Sequence, residues 1–267
     1  MARIGSSPTT SRSVRIMSAI DSPFTVFAVA LVVQGLAVYA GDFLRRKVRP
    51  LGDKEREDLG IVRAASLTLL GLIIGFTFAM AVSRYDQRKN MEEAEANAIG
   101  TEYLRADLLP ANDASHLREL LRKYTEQRIS FYEARDERQI ERIGVTVEKL
   151  HADLWTTVVR ATAGQQTPLA ALAVAGMNDV LNSQGYTQAA WWNRIPIAAW
   201  ALMGLIAISC CLLVGYGEHR TRGFLLVLPL IVSISFFLIA DIDSPRGGVI
   251  RVTPYNLISQ YHSLKPN

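Results

Sequence analysis

The sequence predicts an all-α fold: four transmembrane helices in two hairpins, with a helical bundle between spans two and three. Three observations carry this. Four stretches contain no Asp, Glu, Lys or Arg: residues 22–41, 64–83, 195–217 and 223–240. A bilayer core takes roughly 20 apolar residues of helix, so each run is long enough to cross. Between the second and third runs, apolar positions recur every three or four residues, the spacing of one helix face. No useful length of β alternation interrupts this pattern.

Composition excludes several classes. With 49% apolar residues and a mean hydropathy of +0.15, the chain is not a disordered polymer. Two cysteines in 267 residues do not make a secreted disulfide scaffold. The net charge of +4 and pI near 9.1 would suit a nucleic-acid binder, but the distribution does not. Residues 84–194 hold 14 basic and 16 acidic side chains, against 15 basic and 9 acidic elsewhere. The excess cations flank the apolar runs, as they do at membrane-span ends. The expected partner is therefore the lipid bilayer and not nucleic acid.

The elements follow in order. Residues 1–21 are rich in Ser and Thr, lack periodicity and read as a disordered tail. Met17 is a plausible start, since it leads straight into the first run. Residues 22–83 form the first hairpin. A cleaved signal peptide is the alternative for run one, with Phe24 to Leu36 as its apolar core. The run is long for that role and meets Arg45, Arg46, Lys47 and Arg49 at once, which favours a retained span. Run two contains Gly71 and Gly75 at GxxxG spacing, which lets helix backbones approach closely.

The bundle spans residues 84–194. Its first helix continues directly from span two and stops at Pro110. Asp113 or Ser115 is expected to cap the next helix, whose apolar positions are Leu117, Leu120, Leu121, Tyr124, Phe131 and Tyr132. A third helix carries Ile140, Ile143, Val147, Leu150, Leu154 and Val158 in coiled-coil alternation. The break at residues 164–167 precedes Pro168, well placed to open a fourth helix leading to Trp191 and Trp192. Residues 195–243 form the second hairpin, with a kink expected at Pro229. Residues 244–267 form a C-terminal tail.

Catalytic chemistry is not visible. The four histidines (116, 151, 219 and 262) lie far apart and fit no metal-ligand spacing. Cys210 and Cys211 sit inside the third run, where thiols act as small apolar groups. No P-loop, GxSxG or GxGxxG is present. No catalytic residue, metal site or cofactor is expected, and the chain does not read as an enzyme. Glu92, Glu93, Glu95 and Glu102 cluster beyond span two. A carboxylate metal site is one reading. A solvated face paired with Arg88 and Lys89 is the favoured one. Asp241 and Asp243, like Arg84, Arg246 and Arg251, are expected at the membrane boundary. The two acids either mark the interface or pair with Arg246 or Arg251.

One segment carries a resemblance. Gly75-Phe76-Thr77-Phe78-Ala79-Met80-Ala81-Val82-Ser83-Arg84-Tyr85 resembles the end of the second transmembrane helix of bestrophins. The string through residue 110, with Glu93-Ala94, Asn97-Ala98-Ile99-Gly100-Thr101 and Tyr103-Leu104-Arg105, is similar to a bacterial bestrophin-like family. Asn193-Arg194-Ile195-Pro196 and Asp241-Ile242-Asp243, with Pro245-Arg246-Gly247, fit the same pattern. The resemblance implies an oligomeric ion channel, mostly for anions, whose second helices line a narrow apolar neck. Carried over residue by residue, Phe76 takes a neck position, with Leu72 and Thr68 one and two turns before it. The acidic calcium clasp of animal bestrophins is not reproduced.

Two functions compete. One is a homo-oligomeric channel for small inorganic anions. The other is a non-conducting scaffold or sensor that binds a partner through its helical bundle. A bacterial inner-membrane location is expected for either. Topology is also open. Residues 42–63 and 218–222 hold nine basic residues, among them Arg45, Arg46, Arg63 and Arg220, and the positive-inside rule puts them in the cytoplasm and the bundle outside. The bestrophin resemblance implies the reverse.

Overall fold

The computed structural model of the protein describes residues 22–47, 52–165, 167–217 and 225–264. Among these, all regular structure is helical: α1 (Pro23–Lys47), α2 (Asp53–Arg105), a 3-10 turn (Ala106–Leu108), α3 (Ala111–Glu133), α4 (Glu137–Thr162), α5 (Pro168–Trp192), α6 (Ile197–Gly217), α7 (Val227–Asp243) and α8 (Tyr255–Ser263). The expected tail 1–21, the candidate start at Met17, and Arg49, Arg220 and Arg222 lie outside the described residues.

Among the described residues, three helical stretches each hold a segment long and apolar enough to cross a membrane: Pro23–Lys47, Lys54–Leu108 and Pro168–Gly217. The fourth apolar run appears as α7, 17 residues long. At the helical rise this is about 25 Å, at the lower end of the roughly 17–25 residues that span a bilayer. Pro229 lies in the first turn of α7 and is no mid-helix kink. The N–H groups of a first turn have no intrahelical acceptor, so proline costs no bond there.

The chain divides into two compact units. The first holds the described residues up to Ser83 together with Arg194–Arg251. The second holds Arg84–Asn193 and the segment from Val252 onward. Residues 244–264 are thus not one trailing tail. Their first part folds with the apolar helices and α8 with the helical unit.

In the first unit α1 packs on α6 and α7. The α1–α6 approach is set by Gly41 and Gly215. A Cβ on Gly41 would lie 2.2 Å from the Leu212 carbonyl oxygen, and one on Gly215 would lie 2.1 Å from that of Val38. These helices therefore touch backbone to backbone, as small residues permit in membranes. Gln34 is buried beside this contact and accepts the Cys211 thiol at 3.7 Å.

In the second unit α3 and α4 form an antiparallel hairpin, with α5 against α4 and α8 against α3. Pro110 stands as N-cap of α3, so the helix begins earlier than Asp113 or Ser115. Asp113 instead lies in its first turn and accepts Arg160 Nη2 at 3.0 Å. Asp136 caps α4, and Thr167 caps α5 with Pro168 in its first turn. The seam Ile143, Val147, Leu150, Leu154 and Val158 is buried inside this unit. It is consumed by neighbours in the same chain and is not available for pairing between copies.

Candidate functional site

The apolar part of α2 has two contrasting faces. At 100° per residue, Leu70, Thr77 and Ala81 fall on one side, and all three are buried. Thr77 satisfies its hydroxyl on the carbonyl of Ile73 at 2.8 Å. The opposite side carries Thr68, Leu72 and Phe76, all exposed, with Phe76 64% accessible. The Thr68 hydroxyl donates to the Ala64 carbonyl at 3.0 Å. Gly71, Gly75 and Ala79 share this exposed surface, and Cβ atoms on the two glycines would meet nothing within 4 Å. The GxxxG pair thus makes no close contact within the chain. Gly41 and Gly215, which bring two helix backbones together, are 174 residues apart, so no local spacing pattern announces them.

The exposed surfaces of the other apolar helices are mixed as well: α1 presents Phe24, Val29 and Leu36 beside Thr25 and Ala28, and α6 presents Ile197, Leu202 and Leu205 beside Ala198, Ala201 and Ser209. The α2 face alternates one hydroxyl, two larger side chains and several small residues.

Beyond Ser83, α2 buries Arg88, Glu92, Glu95, Ile99 and Glu102 on one face. The expectation of a solvated acidic face is therefore overturned for three of the four acids; Glu93 alone is exposed. Spacing three and four apart is also the spacing of a buried seam. Each acid has its own environment. Glu92 accepts Leu257 N at 2.9 Å and Asn256 Nδ2 at 2.6 Å. Glu95 takes Arg128 Nε and Nη2, Thr187 Oγ1 at 3.0 Å and Tyr124 OH at 3.4 Å. Glu102 is fully buried, and neither of its carboxyl oxygens has a hydrogen-bond partner. Among the described residues no group of three or more His, Cys, Asp or Glu converges for a metal ion.

Asp241 and Asp243 are buried and serve backbone groups. Asp241 accepts Val249 N at 2.7 Å and Ile250 N at 2.8 Å, which pins the turn after α7. Asp243 accepts Ile195 N at 3.1 Å and lies 3.7 Å from Arg194 Nε. Arg251 Nε donates to the Gly248 carbonyl at 2.6 Å. A carboxylate taking two N–H bonds can remain in a dry site without an adjacent cation.

The chain matches the bestrophin-like domain over residues 26–257. No curated protein sequence matches it. Among solved structures it is similar to a bacterial bestrophin homolog from Klebsiella pneumoniae carrying a single tryptophan substitution, with a TM-score of 0.61, 14% identity, and coverage of 91% of this chain and 95% of that one. The same homolog solved by zinc phasing gives a TM-score of 0.59 at 14% identity, covering 90% and 95%. A further membrane protein reaches 0.62 at 12% identity, covering 90% and 96%. At these identities the likeness is one of fold. The match to the domain covers most of the sequence, and the apolar helices make this a membrane protein: the chain belongs to the bestrophin-like family.

Proposed function

We propose that the chain is one subunit of a homo-oligomeric ion channel in the bacterial inner membrane, permeable to small anions. Thr68, Leu72 and Phe76 line its axis. The observation that carries this reading is the open face of α2. Thr68, Leu72 and Phe76 stand one turn apart on it, with Gly71 and Gly75 beside them and open space over both glycines. A ring of Phe76 side chains around an axis makes an apolar constriction, and such constrictions gate by dewetting. Gly71 and Gly75 then let neighbouring copies approach. Four helices, α1, α2, α6 and α7, cross the bilayer in this reading. The basic segments 42–63 and 218–222 lie in the cytoplasm, which a reporter fused within residues 111–116 tests: a cytoplasmic signal there reverses the topology.

The second reading is a non-conducting scaffold. Exposed Val145, Trp155 and Val159 on α4 support it, because apolar side chains outside a membrane suit a protein partner. Purified protein in planar bilayers or liposomes separates the two. Anion conductance supports the channel; repeated silence from verified, inserted protein supports the scaffold.

A further inference from the structure

Glu102 is the residue of the helical unit whose surroundings least resemble those of a settled structural acid. It lies near the C-terminal end of α2, 19 residues past Ser83 and so well beyond the apolar stretch. Its side chain reaches α5 at Gly176. A Cβ on Gly176 would lie 2.1 Å from Glu102 Oε2 and 2.2 Å from Arg105 Nη1. Any other residue at position 176 would make both side-chain ends shift. The niche supplies the carboxyl no hydrogen bond.

A buried carboxylate without donors carries the full cost of lost hydration. Its neighbour Glu95 is buried equally deeply but has an arginine, a threonine and a tyrosine around it. Two charged groups act on the Glu102 carboxyl. Arg105, on α2, favours the ionised form. Asp179, one turn beyond Gly176 on α5, opposes it. Asp107, on the 3-10 turn that also packs on α5, is paired with Arg118. Burial outweighs the arginine and pushes the carboxyl up to about 8, with Asp179 adding to the rise.

We propose that Glu102 is a proton-binding site, and that its proton holds α5 seated on α2 at Gly176. Protonated, the carboxyl is neutral and tolerates the dry niche. Ionised, it is driven toward water or fully onto Arg105, and either movement empties the contact with Gly176. The sign follows from linkage. The folded chain keeps a proton that the unfolded chain releases near 4.5, so stability falls as pH rises from about 4.5 to about 8.

The test uses the full chain in detergent. Infrared difference spectra follow the protonated-carboxyl band from about pH 6 to about pH 10. Hydrogen exchange at residues 173–180, corrected for its intrinsic pH dependence, follows α5 in parallel. The wild type should lose one carboxyl band with a midpoint near 8, and exchange in α5 should accelerate by about tenfold or more across the same step. Glu102→Gln, neutral at every pH, should lack both changes. Asp179→Asn, on the exposed side of α5, keeps the test open if that variant does not fold, and should move the midpoint to lower pH. A wild type with no carboxyl titrating in this range overturns the proposal. So does an exchange step that survives Glu102→Gln, or a midpoint unmoved by Asp179→Asn.

Discussion

Glu92 on α2 closes the N-terminus of α8, 165 residues later in the chain: its carboxylate accepts the backbone N–H of Leu257 at 2.9 Å. The same carboxylate takes Asn256 Nδ2 at 2.6 Å. Pro254, the N-cap of α8, offers no side-chain hydrogen bond of its own, so the cap comes from a distant helix. A negative charge at a helix N-terminus is also favoured by the helix dipole.

Removing this cap should release the C-terminal segment. Glu92→Ala leaves a buried N–H unsatisfied, at a cost of about 1–3 kcal/mol. The expected result is faster proteolysis and faster hydrogen exchange across Tyr255–Ser263, with α3 and α4 unchanged. Protection of α8 equal to that of the wild type would refute the capping role.

The Glu95–Arg128 pair should behave as a buried ion pair whose partners depend on each other. Both side chains are almost fully buried. Glu95→Ala strands the Arg128 guanidinium, at a cost of about 3–5 kcal/mol. Replacing both by apolar residues of similar volume should recover much of that loss. Denaturation midpoints of the two single variants and the double variant measure the coupling. Additive losses would show that the residues act independently.

The two glycine pairs should separate packing within a chain from packing between chains. Gly41→Ala drives a methyl against the Leu212 backbone, and overpacking of this kind costs about 1–3 kcal/mol. Gly71→Ala and Gly75→Ala meet open space within the chain. They should leave subunit stability near that of the wild type and weaken any homo-oligomer. Subunit melting and native mass in mild detergent are the two readouts. Loss of subunit stability from Gly75→Ala with the assembly unchanged would place its contact within the chain.

Phe76 is tested beside Phe78. The two side chains point about 200° apart around the helix, and both are exposed. Phe76→Ala should widen an axial girdle, raising open probability or loosening selectivity with little loss of assembly. Phe78→Ala should leave permeation ratios unchanged. Equal effects of both in a conducting protein, or no effect from Phe76→Ala, would remove Phe76 from the pore.

The sequence by itself determined the helical class, the apolar segments and a few helix ends, such as the start at Pro168. Those properties are local: the charge-free runs and the start at Pro168 each depend on a few adjacent residues. The resemblance carried by Gly75 to Tyr85 likewise reached the family from one helix end. Only the tertiary structure decided which polar residues are interior. Glu92, Glu93, Glu95 and Glu102 look alike along the chain. Whether each is buried depends on partners at Leu257, Arg128 and Gly176, up to 165 residues away. The same holds for glycine. The local GxxxG pair proved open within the chain, while Gly41 and Gly215 meet through packing that no short pattern encodes. Helix periodicity marks a face as distinct, but the energy of burying a charge is set by what stands opposite it, and that neighbour is supplied by the fold.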